Sequence, residues 1–252
     1  EDYDAALAYF ATQQFDYLVG APDCSPALAT AIAGWIAAQR AEGAIYKAVL
    51  PDTAADSEAI VNFTSEGMTS GAVGYTTAQF CARVAGLIAG TPLEISCTYA
   101  PLPELTDINR LTKAEMDAAI DDGEFILMYD GEKVKVARGV NSLQTTTAAK
   151  GDSFKKIKIV EAVDMIRKDI TTTVQDTYIG TFPNSYDNKL ILCTAITNYF
   201  TALERAGILK EGGSSVAIDV DAQEAYLQSK GIDTSALTEQ EIKEYDTDDQ
   251  VF

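Results

Sequence analysis

Apolar and polar residues alternate along the first 90 residues in a strand–helix rhythm. Residues 2–13 read as a capped helix. Phe15-Asp16-Tyr17-Leu18-Val19 is a short apolar strand closed by Gly20-Ala21-Pro22. Residues 26–40 read as a helix with Pro26 in its first turn and Leu28, Ile32, Trp35 and Ile36 on one stripe. Residues 45–50 and 60–64 predict two more strands, and residues 76–89 a third helix. Strand, helix and strand in this order predict a largely parallel sheet.

The second part of the chain has a different rhythm. Three prolines loosen residues 91–111, which places a domain boundary near residue 105: an α/β domain over 1–105 and a second domain over 106–252. Thr112-Lys113-Ala114-Glu115 is a capping box. Residues 124–129 and 133–138, joined through Asp130-Gly131, predict a hairpin with a free sheet edge. Residues 157–174 predict a helix striped by Ile159, Val163, Ile166 and Ile170. Residues 185–206 predict a longer one, striped by Leu192, Ile196, Tyr199 and Leu203 and ended by Gly207. A strand is expected over 215–220, then one more helix and an acidic tail. The fold class is α/β (α+β overall): an N-terminal α/β domain with a mostly parallel sheet, and a C-terminal domain of a β-hairpin and long helices.

Composition narrows the chemistry. The 252 residues contain no histidine, which excludes Ser-His-Asp triads, Cys-His pairs and imidazole ligands. The formal charge is −19, from 38 acidic and 19 basic residues, a field that repels nucleic acid and anionic lipid. No apolar run reaches the ~18 residues of a membrane span. Cys24, Cys81, Cys97 and Cys193 have no metal or redox spacing and read as buried or half-buried free thiols. Asn62-Phe63-Thr64 is a glycosylation tripeptide without a secretory context. Residues 67–74 are glycine-rich but lack a phosphate-binding Lys-Ser/Thr, and read as a loop or bulge. Asp219, Asp221 and Glu224 do not complete a calcium loop. Asp221 with Glu224 reads as a capping pair. No catalytic, cofactor or metal residue is assigned.

The cations are unevenly placed. Residues 133–168 carry Lys133, Lys135, Arg138, Lys150, Lys155, Lys156, Lys158, Arg167 and Lys168 against three carboxylates, a formal +6, leaving −25 elsewhere. This is either a solvated face or a patch for an acidic partner.

The run from Val136 to Leu209 carries a family resemblance. Val136-Ala137-Arg138-Gly139-Val140-Asn141-Ser142-Leu143 is followed by Phe154-Lys155-Lys156-Ile157-Lys158-Ile159-Val160-Glu161-Ala162-Val163-Asp164-Met165-Ile166. Tyr178-Ile179-Gly180, Asn188-Lys189-Leu190 and the helix ending Phe200-Thr201-Ala202-Leu203-Glu204-Arg205-Ala206-Gly207-Ile208-Leu209 come later. This run resembles the tail sheath proteins of contractile phages, of the Gram-positive defective-prophage type.

The resemblance implies a structural subunit rather than an enzyme. Such subunits form stacked hexameric rings around a tail tube and contract to drive the tube through a cell envelope. Their partners are other sheath subunits, joined by strand exchange through terminal arms, the tube protein, and baseplate and tail terminator proteins. No cofactor, nucleic acid or membrane insertion is implied. The place is the virion tail or a phage-like particle, assembled in the bacterial host cytoplasm. The C-terminal domain faces the tube, so Lys133, Lys135, Arg138, Lys155, Lys156, Lys158, Arg167 and Lys168 become a candidate tube-facing patch. The terminal arms are expected to be missing, leaving a chain that is monomeric in solution. Two other readings stand beside this one. One is a flavodoxin-like enzyme using magnesium and carboxylates such as Asp23 and Asp52 for phosphoryl chemistry. The other is an acidic binding module of a surface layer.

Overall fold

The computed structural model describes residues 3–246. The chain divides into two compact units, Glu1–Asp164 and Met165–Phe252.

Unit 1 is built on a parallel sheet. β1 (Tyr17–Val19), β2 (Lys47–Pro51), β3 (Ile60–Phe63) and β6 (Glu124–Phe125) lie in the order β1-β2-β3-β6, all parallel. Strand geometry sends alternate residues to opposite faces, and two cores result. Val49, Val61, Phe63 and Phe125 pack with Phe80, Cys81, Val84 and Ile88 of α3 (Thr77–Ala89). Ala48, Leu50 and Ile60 pack with Ala29, Ile32 and Ile36 of α2 (Pro26–Ala41). Helices thus cover both faces, as a buried parallel sheet requires. α1 (Tyr3–Phe10) joins the α2 side through Leu7 and an aromatic ladder in which Phe15 stacks on Tyr46 at 4.1 Å.

The capping box read at Thr112 is present at the start of α4 (Lys113–Asp121). Ser25 and Thr76 likewise accept a backbone amide at the start of α2 and α3, and Thr76 completes a second capping box. β2 and β3 are joined by only residues 52–59. Asp52 and Asp56 take positive φ in that loop, and Asp56 Oδ1 accepts the amides of Gln144 at 2.6 Å and Thr145 at 2.7 Å. Gly123 follows α4 at φ +77, where an added Cβ would lie 2.9 Å from the Asn141 carbonyl oxygen. Gly123→Ala is therefore expected to cost about 1–3 kcal/mol, read as a lower urea midpoint at unchanged slope.

Several expectations change. The two compact units meet at 164/165 rather than near residue 105, because Glu124-Phe125 leaves the predicted hairpin and extends the parallel sheet beside β3. The hairpin itself is shorter, β7 (Leu127–Tyr129) with β8 (Val134–Val136). Its turn spans four residues because Asp130 Oδ1 accepts the amides of Glu132 and Lys133. Glycine-rich residues 67–74 form a second hairpin, β4 (Met68–Ser70) with β5 (Val73–Tyr75), turned at Gly71 with φ +60.

Unit 2 is helical. α5 (Ile157–Thr173) begins in unit 1 and continues past Asp164, ending in a π-helical turn, Val174–Tyr178. α6 (Tyr186–Arg205), α7 (Val220–Ser229) and α8 (Glu239–Glu244) follow. Gly207 ends α6 at φ +73, as expected for a left-handed cap position. Lys189 of α6 is buried. Its ammonium donates to Gln223 Oε1 of α7 at 2.9 Å and to the Tyr245 carbonyl at 3.4 Å, and burial pulls its pKa down.

No strand forms over 215–220. The segment 213–219 has no regular secondary structure, with Val216 and Ile218 half-buried and Ser215 and Ala217 exposed. None of the backbone groups of residues 214–218 bonds to another described backbone group. The alternation is that of a strand, but a strand needs a partner. Asp219, not Asp221, caps α7, accepting the Ala222 amide at 2.9 Å, while Glu224 accepts from Thr234 at 2.8 Å.

A cluster of charges lies inside unit 1. Arg40 of α2 grips Asp164 of α5 with two bonds, at 2.9 and 3.1 Å. The Lys47 ammonium of β2 is 3.3 Å from both Asp164 and Glu161. Tyr17 of β1 donates its hydroxyl to Glu161. Burial, with Glu161 beside it, holds that phenol protonated far above its ordinary pKa. Arg40 also faces Glu58 at 3.6 Å, and Lys150 meets Glu58 at 2.6 Å. Burial alone would raise the Glu58 carboxyl, but the Lys150 bond, a backbone amide and Arg40 hold it below the usual range. Three cations face three carboxylates, so the cluster is formally neutral.

Candidate functional site

The predicted basic residues do not form one uniform patch. Lys135 pairs with Asp130, whose carboxyl is held far below its ordinary range by that ammonium and by the Lys133 and Glu132 amides. Lys150 is taken by Glu58, and Lys155 faces Asp152 at 3.4 Å. Lys158 donates to the Glu94 carbonyl at 2.6 Å. Lys133, Arg138 and Lys156 are exposed, and no ion pair or hydrogen bond engages their side-chain nitrogens within the described residues. Arg167 and Lys168 are exposed on the part of α5 that belongs to unit 2.

The free edge expected of the hairpin is closed on its β8 side. Tyr99 donates to the Val136 carbonyl at 2.9 Å, Val136 to Ala100 at 3.0 Å, and Leu102 to Val134 at 2.9 Å. Residues 99–102 thus lie along β8 as a third strand-like segment.

In unit 2, Ile170, Val174, Leu192 and Ile196 line a cavity of about 360 Å³ closed on one side by Val216 and Ile218. A neighbouring cavity of about 480 Å³ shares Ile170, Val174 and Ile196 and reaches Tyr199, whose hydroxyl donates to Asp169 at 2.6 Å. Burial, with Asp169 beside it, pushes that phenol's pKa well up.

The two carboxylates offered for enzymatic chemistry follow adjacent strands of the parallel sheet. Asp52 follows β2 at the C-terminal edge of the sheet, where burial and then Glu66 and Glu124 push its carboxyl up. Asp23 lies in the turn between β1 and α2. Among the described residues, no three His, Cys, Asp or Glu side chains are grouped to hold a metal. Asn62 of the glycosylation tripeptide is buried in β3 and accepts the Thr53 amide. All four cysteines are free. Burial raises Cys81 to about 12 and Cys97 to about 11, so neither is a ready nucleophile. No described helix is long and apolar enough to cross a membrane.

Sequence reasoning missed Arg40, Lys47, Glu58, Glu161 and Asp164. Two signals were available: Lys47 interrupts an apolar strand, and Asp164 falls seven residues after Ile157 and four after Val160, on one helix face.

Unit 1 is a three-layer α/β unit, and unit 2 is helical. The chain belongs to the phage tail sheath family: residues 1–142 match the phage tail sheath protein central domain and residues 149–238 the phage tail sheath C-terminal domain. This is a family of structural proteins. The chain is 41% identical over 240 residues to the tail sheath protein of Clostridium phage phiCD119, covering 95% of this chain and 67% of that one. It is 29% identical to the phage-like element PBSX protein XkdK of Bacillus subtilis, over 82% of this chain and 46% of the relative. The crystal structure of a sheath tail protein from Desulfitobacterium hafniense superposes with a TM-score of 0.77 at 26% identity, over 83% of this chain and 50% of that one. The contracted helical sheath of the anti-feeding prophage shares the fold, with a TM-score of 0.60 at 17% identity, over 79% of this chain and 57% of that one. The chain thus spans about two thirds of the phage relative and about half of the others.

Proposed function

We propose that this chain supplies the central and C-terminal parts of a contractile tail sheath subunit. It polymerises with its own kind as stacked hexameric rings around a tail tube, and contraction drives the tube through a cell envelope. The observation that carries this is the match of both sheath domains in order along one chain. Its partners are sheath subunits, tube, baseplate and tail terminator proteins, in a virion tail or phage-like particle assembled in the host cytoplasm. Residues 106–252, the last part of unit 1 together with unit 2, take the tube-facing and mesh-forming role.

Exposed Lys133, Arg138 and Lys156 hold an acidic tube surface by screened, breakable contacts. Lys135, Lys150, Lys155 and Lys158 are engaged within unit 1. The strand-exchange site is the 214–218 segment, whose backbone groups bond to no other described backbone group and accept an arm as an added strand. The hairpin edge along β8 is already filled.

Electron microscopy of the full-length protein with its tube protein tests this reading. Wild type is expected to give sheathed tubes. Lys133→Glu/Arg138→Glu/Lys156→Glu should weaken tube-bound assembly at least about tenfold at low salt. Val216→Pro/Ile218→Pro should abolish ring stacking. Absence of rings and tubes for wild type under all conditions, or full assembly by both variants, rejects it.

A further inference from the structure

The hydrophobic pattern of α5 and its observed burial disagree. By period, its apolar stripe is Ile159, Val163, Ile166 and Ile170. In unit 1 the buried residues are instead Ile157, Val160, Ala162 and Asp164, while Val163 is 40% exposed. At about 100° per residue, the face holding Ile157, Val160 and Asp164 lies roughly 130° around the helix from the centre of that stripe. Ile157 and Val160 share this face with the carboxylates of Glu161 and Asp164, so aliphatic packing and the charge cluster select it together.

The geometry of the cluster explains its part. Asp164 receives two bonds from Arg40 and faces the Lys47 ammonium, while Glu161 takes Lys47 and the Tyr17 hydroxyl. The contacts come from α2, β2 and β1, three elements with different directions of approach. Apolar packing is non-directional and tolerates a helix that rotates or slides by a turn. Buried charges do not. Any other register of α5 leaves Lys47 inside unit 1 without a counter-charge and Arg40 with only Glu58, which Lys150 already holds.

We propose that the Arg40–Lys47–Glu161–Asp164 cluster is a register lock. It commits the first two turns of α5 to one rotation and one axial position on unit 1. Asp164 is the last residue of unit 1 on a helix that continues into unit 2. The lock therefore fixes the residue at which the chain leaves the α/β unit.

The test separates register from stability. The charge-neutral variant Arg40→Met/Lys47→Met/Glu161→Gln/Asp164→Leu removes the cluster without stranding a charge, and leaves the Glu58–Lys150 pair. Methyl NMR of Ile157, Val160 and Val163, with hydrogen exchange of amides 158–164, reads the helix directly. In wild type one set of methyl signals is expected, and these amides should exchange within about threefold of those in β2. The variant should keep its helical circular dichroism and cooperative melting, yet show several or broadened methyl sets. Protection over 158–164 should fall at least about tenfold relative to β2. A folded variant with one sharp set and unchanged protection overturns the proposal. If the variant does not fold, wild type decides: exchange over 158–164 about a hundredfold faster than in β2 means that no lock exists.

Discussion

Asp164→Asn is expected to lower the unfolding free energy by about 3–5 kcal/mol. The substitution keeps the size and shape of the side chain and removes one negative charge. Arg40 and Lys47 then remain inside unit 1, with side chains 16% and 4% exposed, and one fewer carboxylate to face. Glu161 still serves Lys47, but nothing replaces the two-bond grip on Arg40. Breaking a buried pair costs far more than the pair contributes, because the stranded charge has lost its water and gained nothing. Urea unfolding followed by the fluorescence of the single tryptophan, Trp35, half-buried on α2, reads the change. Asp152→Asn is the control: its carboxylate is 88% exposed and only 3.4 Å from Lys155, so the change should stay within about 0.5 kcal/mol. A loss below about 1 kcal/mol for Asp164→Asn would show that water reaches the cluster.

Phe63→Ala is expected to cost about 3–5 kcal/mol. Phe63 ends β3 fully buried, beside Phe125 in the register of the sheet and Phe80 from α3, with ring centroids 6.3 and 6.1 Å away. Three separate elements meet on this ring, so truncation leaves a cavity that no single side chain can refill. The sheet holds the backbone on both sides of the site and limits collapse, which places the cost high in its range. Phe182→Ala is the comparison. That ring is 43% exposed, and its loss should stay within about 1 kcal/mol. Thermal or urea unfolding checks both, and equal effects would mean that Phe63 does not sit in a rigid core.

Most of the fold was legible from local patterns. The strands at 47–51 and 60–63 and the helices at 26–41, 77–89 and 186–205 lie where apolar period and caps place them. The capping box at Thr112 could be read because a cap is a contact between residues three apart. Errors fell where the outcome depends on a distant partner. Glu124-Phe125 has hairpin composition, yet pairs with β3 because that edge of the sheet is available. Residues 215–218 alternate like a strand and remain unpaired because no described segment lies alongside.

The candidate surfaces divide the same way. Nine cations in residues 133–168 were countable in the sequence. Which of them are already used was not, because Glu58 reaches Lys150 and Glu94 reaches Lys158 across more than sixty residues. The Val136–Leu209 run was enough to point to the sheath family, since a long ordered string of residue identities carries far more information than composition.

By itself, then, the sequence determined the local elements, the absence of histidine chemistry and the family resemblance, all properties of neighbouring residues or of order along the chain. The tertiary structure alone decided which face of α5 is buried, which cations stay available and which sheet edges are filled. The decisive partners lie far apart in the chain, 124 residues for Arg40 and Asp164 and 92 for Lys150 and Glu58. The outcome is set by desolvation and by hydrogen-bond geometry that exist only once the chain has folded.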